Sequence, residues 1–290
     1  MSGVWAIAIH GGAGPLREVD YSLAEANMAA TLKRARAGLM AGKRAVDIAQ
    51  AAIMELEESG DHVAGRGASP NALGQWELDA AIMDGQTRNA GAVAALRGYR
   101  SPISAARLVM DESHHLMLVG KGAAHFLKDY TLRRVWNPRD YYRPAVVRPV
   151  AEGELAHGTV GAVVLDLEGR LAAATSTGGL LGKMPGRVGD TPILGAGTWA
   201  DERVAVSCTG QGEYFMRAAV AADVSARVRY GKQGLERATD EALQDVAFLG
   251  GDGGLIALDV MGGVVTPFLS EGMKRGVATS TGRFDVAVRR

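Results

Sequence analysis

The chain has 290 residues, of which 47% are apolar, and its 32 basic and 32 acidic residues give a formal net charge of zero. An apolar share of that size excludes disorder, and balanced charge with no Lys/Arg cluster argues against nucleic acid or an anionic membrane as partner. There is no apolar run near the roughly 20 residues of a membrane span, no leader-like start, and one cysteine, Cys208; a soluble cytoplasmic protein without disulfides is expected.

The elements are read in chain order. Residues 4–9 (VWAIAI) form a first strand, ended by HGGAG. Ser22 and Glu25 have the capping-box spacing, and a helix follows to about Met40, with Gly42 as its stop. A second helix covers Ala45–Glu58. The runs 78–85 and 89–96 form a hairpin, and 102–113 a helix with proline in its first turn. LMLVGKGAAHFL (116–127) is a short strand entering a helix. Residues 130–156 hold Pro138, Pro144 and Pro149 without a clean period and read as an exposed connector. The stretch 160–179 makes two strands around Asp166-Leu167-Glu168-Gly169, and 203–210 another. Residues 212–231 and 235–248 are helical, and 254–268 and 283–290 supply the last strands. Short turns between neighbouring strands argue for antiparallel pairing, and the grouped helices for sheets face to face with helices outside.

Several motifs are rejected. GKGAAH departs from the dinucleotide fingerprint at His125, and neither a P-loop nor a nucleophile elbow exists. The adjacent His114 and His115 cannot share a face, so they make no metal pair. His10 and His157 border glycine turns and read as turn residues with local hydrogen bonds. Asp166 and Glu168 read as solvated turn residues.

What remains is a set of Thr-Gly and charged positions. HGTVGAVVLDLEG (157–169) opens a core strand on Gly158-Thr159, and TSTGG (175–179) ends the next strand, so Thr177 folds back near Thr159. GRVGDTP places Arg187 and Asp190 in one loop. SCTGQGE ends a strand at Thr209-Gly210 before a helix, where backbone N–H groups point outward. Singly, each reads equally as turn chemistry or a surface ion pair. Together they supply a nucleophile, an oxyanion site and one group of each charge, as an amidase for a zwitterionic amino acid needs.

With IHGGAG, LDAAIMDG, NAGAVA, AARLVM, AATSTGG, GRVGDTPILGAGTWA and GGDGGLIALD in the same order, the chain resembles the plant-type asparaginases, or isoaspartyl peptidases, over nearly its whole length. The resemblance implies an N-terminal-nucleophile hydrolase with an α+β, four-layer αββα sandwich. It implies self-cleavage of a single domain between Gly158 and Thr159, giving an α subunit 1–158, with a loose linker about 130–158, and a β subunit 159–290. The active form would be a dimer of such αβ units, a heterotetramer acting on a small amide or dipeptide. Thr159 would attack, with Thr177 orienting its hydroxyl, Arg187 holding the substrate carboxylate, Asp190 the ammonium, and Thr209 and Gly210 the oxyanion. Gly212 would belong to the substrate site. No cofactor is implied beyond a structural sodium ion on backbone carbonyls between Leu56 and Arg66. The chain departs from the pattern at Val63, where an Asn is expected near the nucleophile, at Gln211, and in a short linker. Two alternatives stay open: an N-terminal-threonine amidase for another amide, such as glycosylasparagine, and a non-catalytic binding protein of the same fold.

Overall fold

The structure, a computed structural model, describes residues 3–14, 20–145 and 158–289. The elements are β1 (Ala6–Gly14), α1 (Ser22–Met40), α2 (Ala45–Ser59), β2 (Leu78–Asp84), β3 (Ala90–Leu96), α3 (Pro102–Glu112), β4 (Met117–Val119), α4 (Gly120–Leu127) and α5 (Pro138–Tyr141). They continue with β5 (Val160–Leu165), β6 (Leu171–Thr177), β7 (Thr198–Ala200), β8 (Val204–Gly210), α6 (Gly212–Ala218), α7 (Val220–Arg229), α8 (Leu235–Phe248), β9 (Gly253–Asp259), β10 (Val264–Val265), β11 (Gly272–Thr279) and β12 (Phe284–Ala287).

The strands make two sheets. The larger runs β12-β11-β1-β5-β6-β2-β3-β4, antiparallel except for β3 beside β4, and the smaller runs β10-β9-β8-β7. Both faces of the larger sheet are covered, so its central strands read as continuous apolar runs instead of alternating polar and apolar. Alternation reappears in what each face touches. Ile7, Ile9, Val160, Ala162 and Val164 pack with Leu32, Ile53 and Leu56 of α1 and α2. Ala6, Ala8, Val163 and Leu165 pack with Ala205, Ile256 and Leu258 of the smaller sheet. The other face of that sheet (Val204, Val206, Cys208, Leu255) packs with Val220, Val224 and Leu243 of α7 and α8. Burying one such Val, Leu or Ile side chain stabilises the fold by about 1.5–3 kcal/mol.

The helices, the two hairpins and the antiparallel pairing follow the sequence reading, and several details differ from it. The first strand does not end at HGGAG; β1 continues to Gly14 through a bulge between His10 and Ala13. The capping box does not form: the Glu25 N–H bonds the Tyr21 carbonyl at 2.9 Å instead of the Ser22 hydroxyl, and the Asp20 carboxylate, not that of Glu25, takes the Ser22 N–H at 2.8 Å. The helix expected over 212–231 is broken at Ala219, which adopts φ 48° between α6 and α7. β11 was not anticipated at all, although it pairs with β1; Lys274, Arg275 and two glycines hide its pattern.

The connector is partly built in. Arg143 and Ala145 donate backbone N–H groups to Arg66 and Gly67, and Tyr142 stacks on Trp76 at 4.8 Å between ring centroids. Pro149, His157 and the rest of 146–157 lie outside the described residues. Asp166 is not solvated: it is buried, accepts the Ala45 N–H at the start of α2, and pairs with Arg170 at 2.8 Å. His10 is no turn residue; it is fully buried, and its bonds reach Thr159 and Ser207.

Candidate active site

The site lies where the β5–β6 hairpin opens at the edge of the two-sheet layer. Val160 sits opposite Ser176, so the next pair is Thr159 with Thr177, both on the face that meets the smaller sheet. The Thr159 hydroxyl donates to Thr177 Oγ1 at 3.1 Å, and the Gly179 N–H donates to the same oxygen at 3.0 Å. Thr159 is 7% exposed. The need for glycine at 158 is steric: an ideal Cβ there would lie 2.5 Å from Val63 Cγ2. Gly158 does not adopt the left-handed conformation. Gly12 does, at φ 106°, and a Cβ on it would come within 2.7 Å of Gly158 Cα. The peptide entering Thr159 is therefore gripped between Val63 and Gly12.

Arg187, Gly189, Asp190 and Thr191 line the same cleft, with Gly158, Thr159, Thr177, Gly179, Leu180 and Gly210. Their loop is held from several directions. Gly178 N–H donates to Val63 O at 2.7 Å and Gly182 N–H to Pro70 O at 2.9 Å. The Lys183 ammonium, itself buried, donates to Glu77 O at 2.9 Å, and the Gly186 N–H reaches the Glu77 carboxylate. Arg187 is bound side-on by Glu213, with Nε and Nη2 each 2.8 Å from a carboxylate oxygen. That geometry spends one edge of the guanidinium and leaves the Nη1 edge, which lies beside Gly189, for another carboxylate.

Asp190 is 4% exposed, and burial raises its pKa to about 7 against the opposing pull of Arg187; the negative charge of Glu213 adds to the rise. Its Oδ2 is buried with no partner among the described residues. A carboxylate left that way fits a cation arriving from solvent.

Not every expected residue reaches the cleft. Thr209 is fully buried and its hydroxyl oxygen accepts the Ala13 N–H at 3.3 Å, while Gly210 beside it does line the cleft. Gly212 stands behind Asp190, where a Cβ would come within 2.8 Å of the Asp190 backbone nitrogen and Oδ1. Gln211 accepts the Asp252 N–H at 3.0 Å and so closes a turn. Around the expected sodium loop, the Asp61 carbonyl takes the Lys274 ammonium at 2.9 Å and the His62 carbonyl takes the Ala64 N–H. No group of three or more His, Cys, Asp or Glu capable of holding a metal occurs among the described residues.

Glu213, Glu77, Lys183 and Ser207 were not singled out from sequence, and His10 was read only as a turn residue. Glu213 stands inside the motif SCTGQGE, but its partner is 26 residues away, and nothing local marks the pairing. No helix among the described residues is long and apolar enough to cross a membrane.

A family model described as asparaginase matches residues 3–144 and 137–288 of this chain. The isoaspartyl peptidase of Escherichia coli (strain K12) is 43% identical over 293 aligned positions, covering 93% of this chain and 91% of that protein. An isoaspartyl peptidase of Salmonella typhimurium is 42% identical over 93% of each chain. The probable isoaspartyl peptidase/L-asparaginase 2 of Arabidopsis thaliana is 38% identical over 99% of each.

Proposed function

The chain belongs to the asparaginase family, and from that membership and the geometry of the cleft we propose that it hydrolyses β-aspartyl peptides and L-asparagine through Thr159. The observation that carries the reading is the convergence of a hydroxyl pair 3.1 Å apart with Arg187 and the buried Asp190 carboxylate, whose Oδ2 has no partner among the described residues, in one cleft.

Self-cleavage comes first. Thr159 Oγ1 attacks the Gly158 carbonyl carbon, the peptide C–N bond breaks in an N-to-O acyl shift, and water hydrolyses the ester. This releases the Gly158 carboxylate and the Thr159 amine. An α-amine has a reference pKa near 7.7–8.0, so about a tenth or more is unprotonated near neutrality and serves as base for the hydroxyl of the same residue. In turnover, Oγ1 attacks the side-chain carbonyl of the substrate. Ammonia or the peptide amine leaves with the proton, and water cleaves the β-aspartyl ester. Thr177, polarised by the Gly179 N–H, steadies Oγ1. The free edge of Arg187 takes the α-carboxylate, and Asp190 takes the α-ammonium. The oxyanion falls to the backbone at Gly210 and, once the Thr209 hydroxyl turns toward the cleft, to Thr209. One such donor is worth roughly 2.7–4 kcal/mol of barrier.

The reading extends to the whole particle. The three apolar clusters support a four-layer αββα sandwich, a single domain divided by cleavage into 1–158 and 159–290. Two αβ units pair in the active form, the chain is cytoplasmic, and the buried, unpaired Cys208 accords with that compartment. Hydrolysis needs no cofactor. A sodium ion on the carbonyls between Leu56 and Arg66 would be structural and would share that loop with Lys274.

The test is recombinant wild type incubated with a β-aspartyl dipeptide and with asparagine. Fragments that separate before Thr159, together with released aspartate, are expected. Protein that splits there and releases aspartate from neither substrate rejects the reading. A second reading, a related amidase for another amide, is favoured by Val63, which presents methyl groups to Gly158 where the family pattern has an amide. Amides with and without a free α-amino group separate the two, because Asp190 matters only where that amine exists.

A further inference from the structure

Between the two sheets, in a layer otherwise largely apolar, runs a buried polar chain that the proposed chemistry does not use. His10 Nδ1 lies 3.2 Å from the Thr159 carbonyl oxygen, and Nε2 lies 3.0 Å from Ser207 Oγ. Ser207 Oγ is 2.8 Å from Thr175 Oγ1, which accepts from the Thr198 hydroxyl at 2.7 Å; Thr198 also lies 3.0 Å from the Thr191 carbonyl, beside Asp190. All four side chains are fully buried.

The donors sort themselves. A carbonyl can only accept, so the Thr159 contact is a hydrogen bond only when the proton sits on Nδ1, and Nε2 then accepts from Ser207. In that arrangement Ser207 accepts from Thr175 and Thr175 from Thr198, whose single proton is drawn away from the Thr191 carbonyl. The imidazole is neutral throughout, since burial pushes its pKa down to about 3; its titratable neighbour, His62, is itself buried and shifted the same way. The sheet is adapted to hold the ring. Directly opposite His10 on β5 stands Gly161, where an ideal Cβ would come within 2.1 Å of both His10 Nε2 and Ser207 Oγ. A glycine in mid-strand costs stability that an apolar pair at this position would not.

The chain ends on the carbonyl of the residue that carries the nucleophile. Once Gly158 is detached, residue 159 keeps a single backbone attachment, and its amine and hydroxyl hang together from one peptide plane. We propose that His10 is a positioning residue: its Nδ1–H clamps that plane, so that Thr159 Oγ1 stays aimed at the acyl carbon after the chain has been cut behind it. This rests on Thr159 being the nucleophile. It assigns His10 no proton transfer and no contact with substrate.

Asparagine and glutamine separate the two ends of the ring. The amide nitrogen of Asn takes the place of Nδ1 and can still donate to the Thr159 carbonyl. That of Gln reaches toward Ser207 and cannot. Rates are normalised to the amount of free Thr159 N-terminus, measured by mass spectrometry. Because a misplacement of about 1 Å costs on the order of 100-fold, H10Q is expected to lose about 100-fold in kcat with KM changed less than about twofold, and H10N to stay within about tenfold of wild type. If either variant cleaves too little to assay, the same order, Asn ahead of Gln, is expected in the self-cleavage rate. Equal rates for the two, or a loss confined to KM, overturn the proposal. Side-chain 15N NMR of wild type needs no variant. It should show His10 neutral with its proton on Nδ1 between pH 5 and 8 (about two to five units above its folded pKa), and a proton on Nε2 or an imidazolium overturns it. Failure of the proposed function would look different: a wild type that never exposes Thr159 or never releases aspartate, whatever the tautomer of His10.

Discussion

The hydroxyl side of the cleft and its ionic side are held by different forces. Thr159 and Thr177 hang from neighbouring strands of one hairpin, and the groups that touch them, the Gly179 N–H and the His10 imidazole, are neutral. Arg187 and Asp190 sit on a loop whose own Lys183 reaches Glu77, and which Glu77 and Glu213, from two distant parts of the chain, fasten with their carboxylates. The difference fits the tasks proposed for them. A nucleophile needs a fixed direction, which strand pairing and neutral hydrogen bonds supply at little desolvation cost. A zwitterion needs opposed charges kept partly dry, and each buried charge then needs a further partner to hold it.

That contrast can be broken at several points. The largest effect is expected on the hydroxyl side. Thr159→Ala should remain a single 30.3 kDa chain on a denaturing gel and lose more than about 10⁴-fold in activity, while wild type yields 1–158 and 159–290. On the ionic side, Arg187→Ala should leave self-cleavage intact and lower kcat/KM about 100-fold for substrates with a free α-carboxylate, as expected for the loss of a bidentate charged pair. A cleavage defect in that variant would mean the two sides are not separable.

The pH dependence should carry the signature of Asp190. Its carboxyl must be ionised to hold an ammonium, and its pKa is raised to about 7, so kcat/KM should rise with pH by about tenfold per unit below neutrality and level off above. Titration of the Thr159 amine adds a limb of the same sign. Substrates without an α-amino group keep the amine's limb and should lose the one due to Asp190, and a profile identical for both would remove Asp190 from recognition. Glu213→Ala is milder. Freed from its side-on partner, Arg187 should bind carboxylate with KM raised about tenfold and kcat changed little, since the guanidinium itself remains.

The smallest effect on activity belongs to the far end of the hairpin. Asp166→Asn weakens the cap of α2 and the ion pair to Arg170 and should cost about 1–3 kcal/mol of stability with kcat unchanged. A drop in kcat at constant stability would show that the turn and the nucleophile are coupled along β5 and β6.

How much of this was legible beforehand varies with the range of the contact. The β5–β6 hairpin could be read directly, because its two apolar runs are separated by a short turn and the pairing of Thr159 with Thr177 follows from register alone. The β2–β3 hairpin, α2 and α3 were legible for the same reason. β11 was not, since strands buried on both faces lose their alternation and its charged residues broke the run. Asp166 and His10 were misread as local turn residues. Their partners lie 121 residues away at Ala45 and 197 residues away at Ser207.

From its residues alone the chain determined a mixed α/β class, most helix and strand boundaries, and a short list of Thr, Arg, Asp and Gly positions suited to amide chemistry, because periodicity, caps and turns act over a few residues. Tertiary structure decided which of those positions meet: that Arg187 and Asp190 share a cleft with Thr159 while Thr209 and Gly212 stand back, and that a neutral imidazole from β1 lies under Thr159. Burial and partner set the charge and direction of each group, and both depend on segments far apart in sequence, brought together only when the two sheets close on one another.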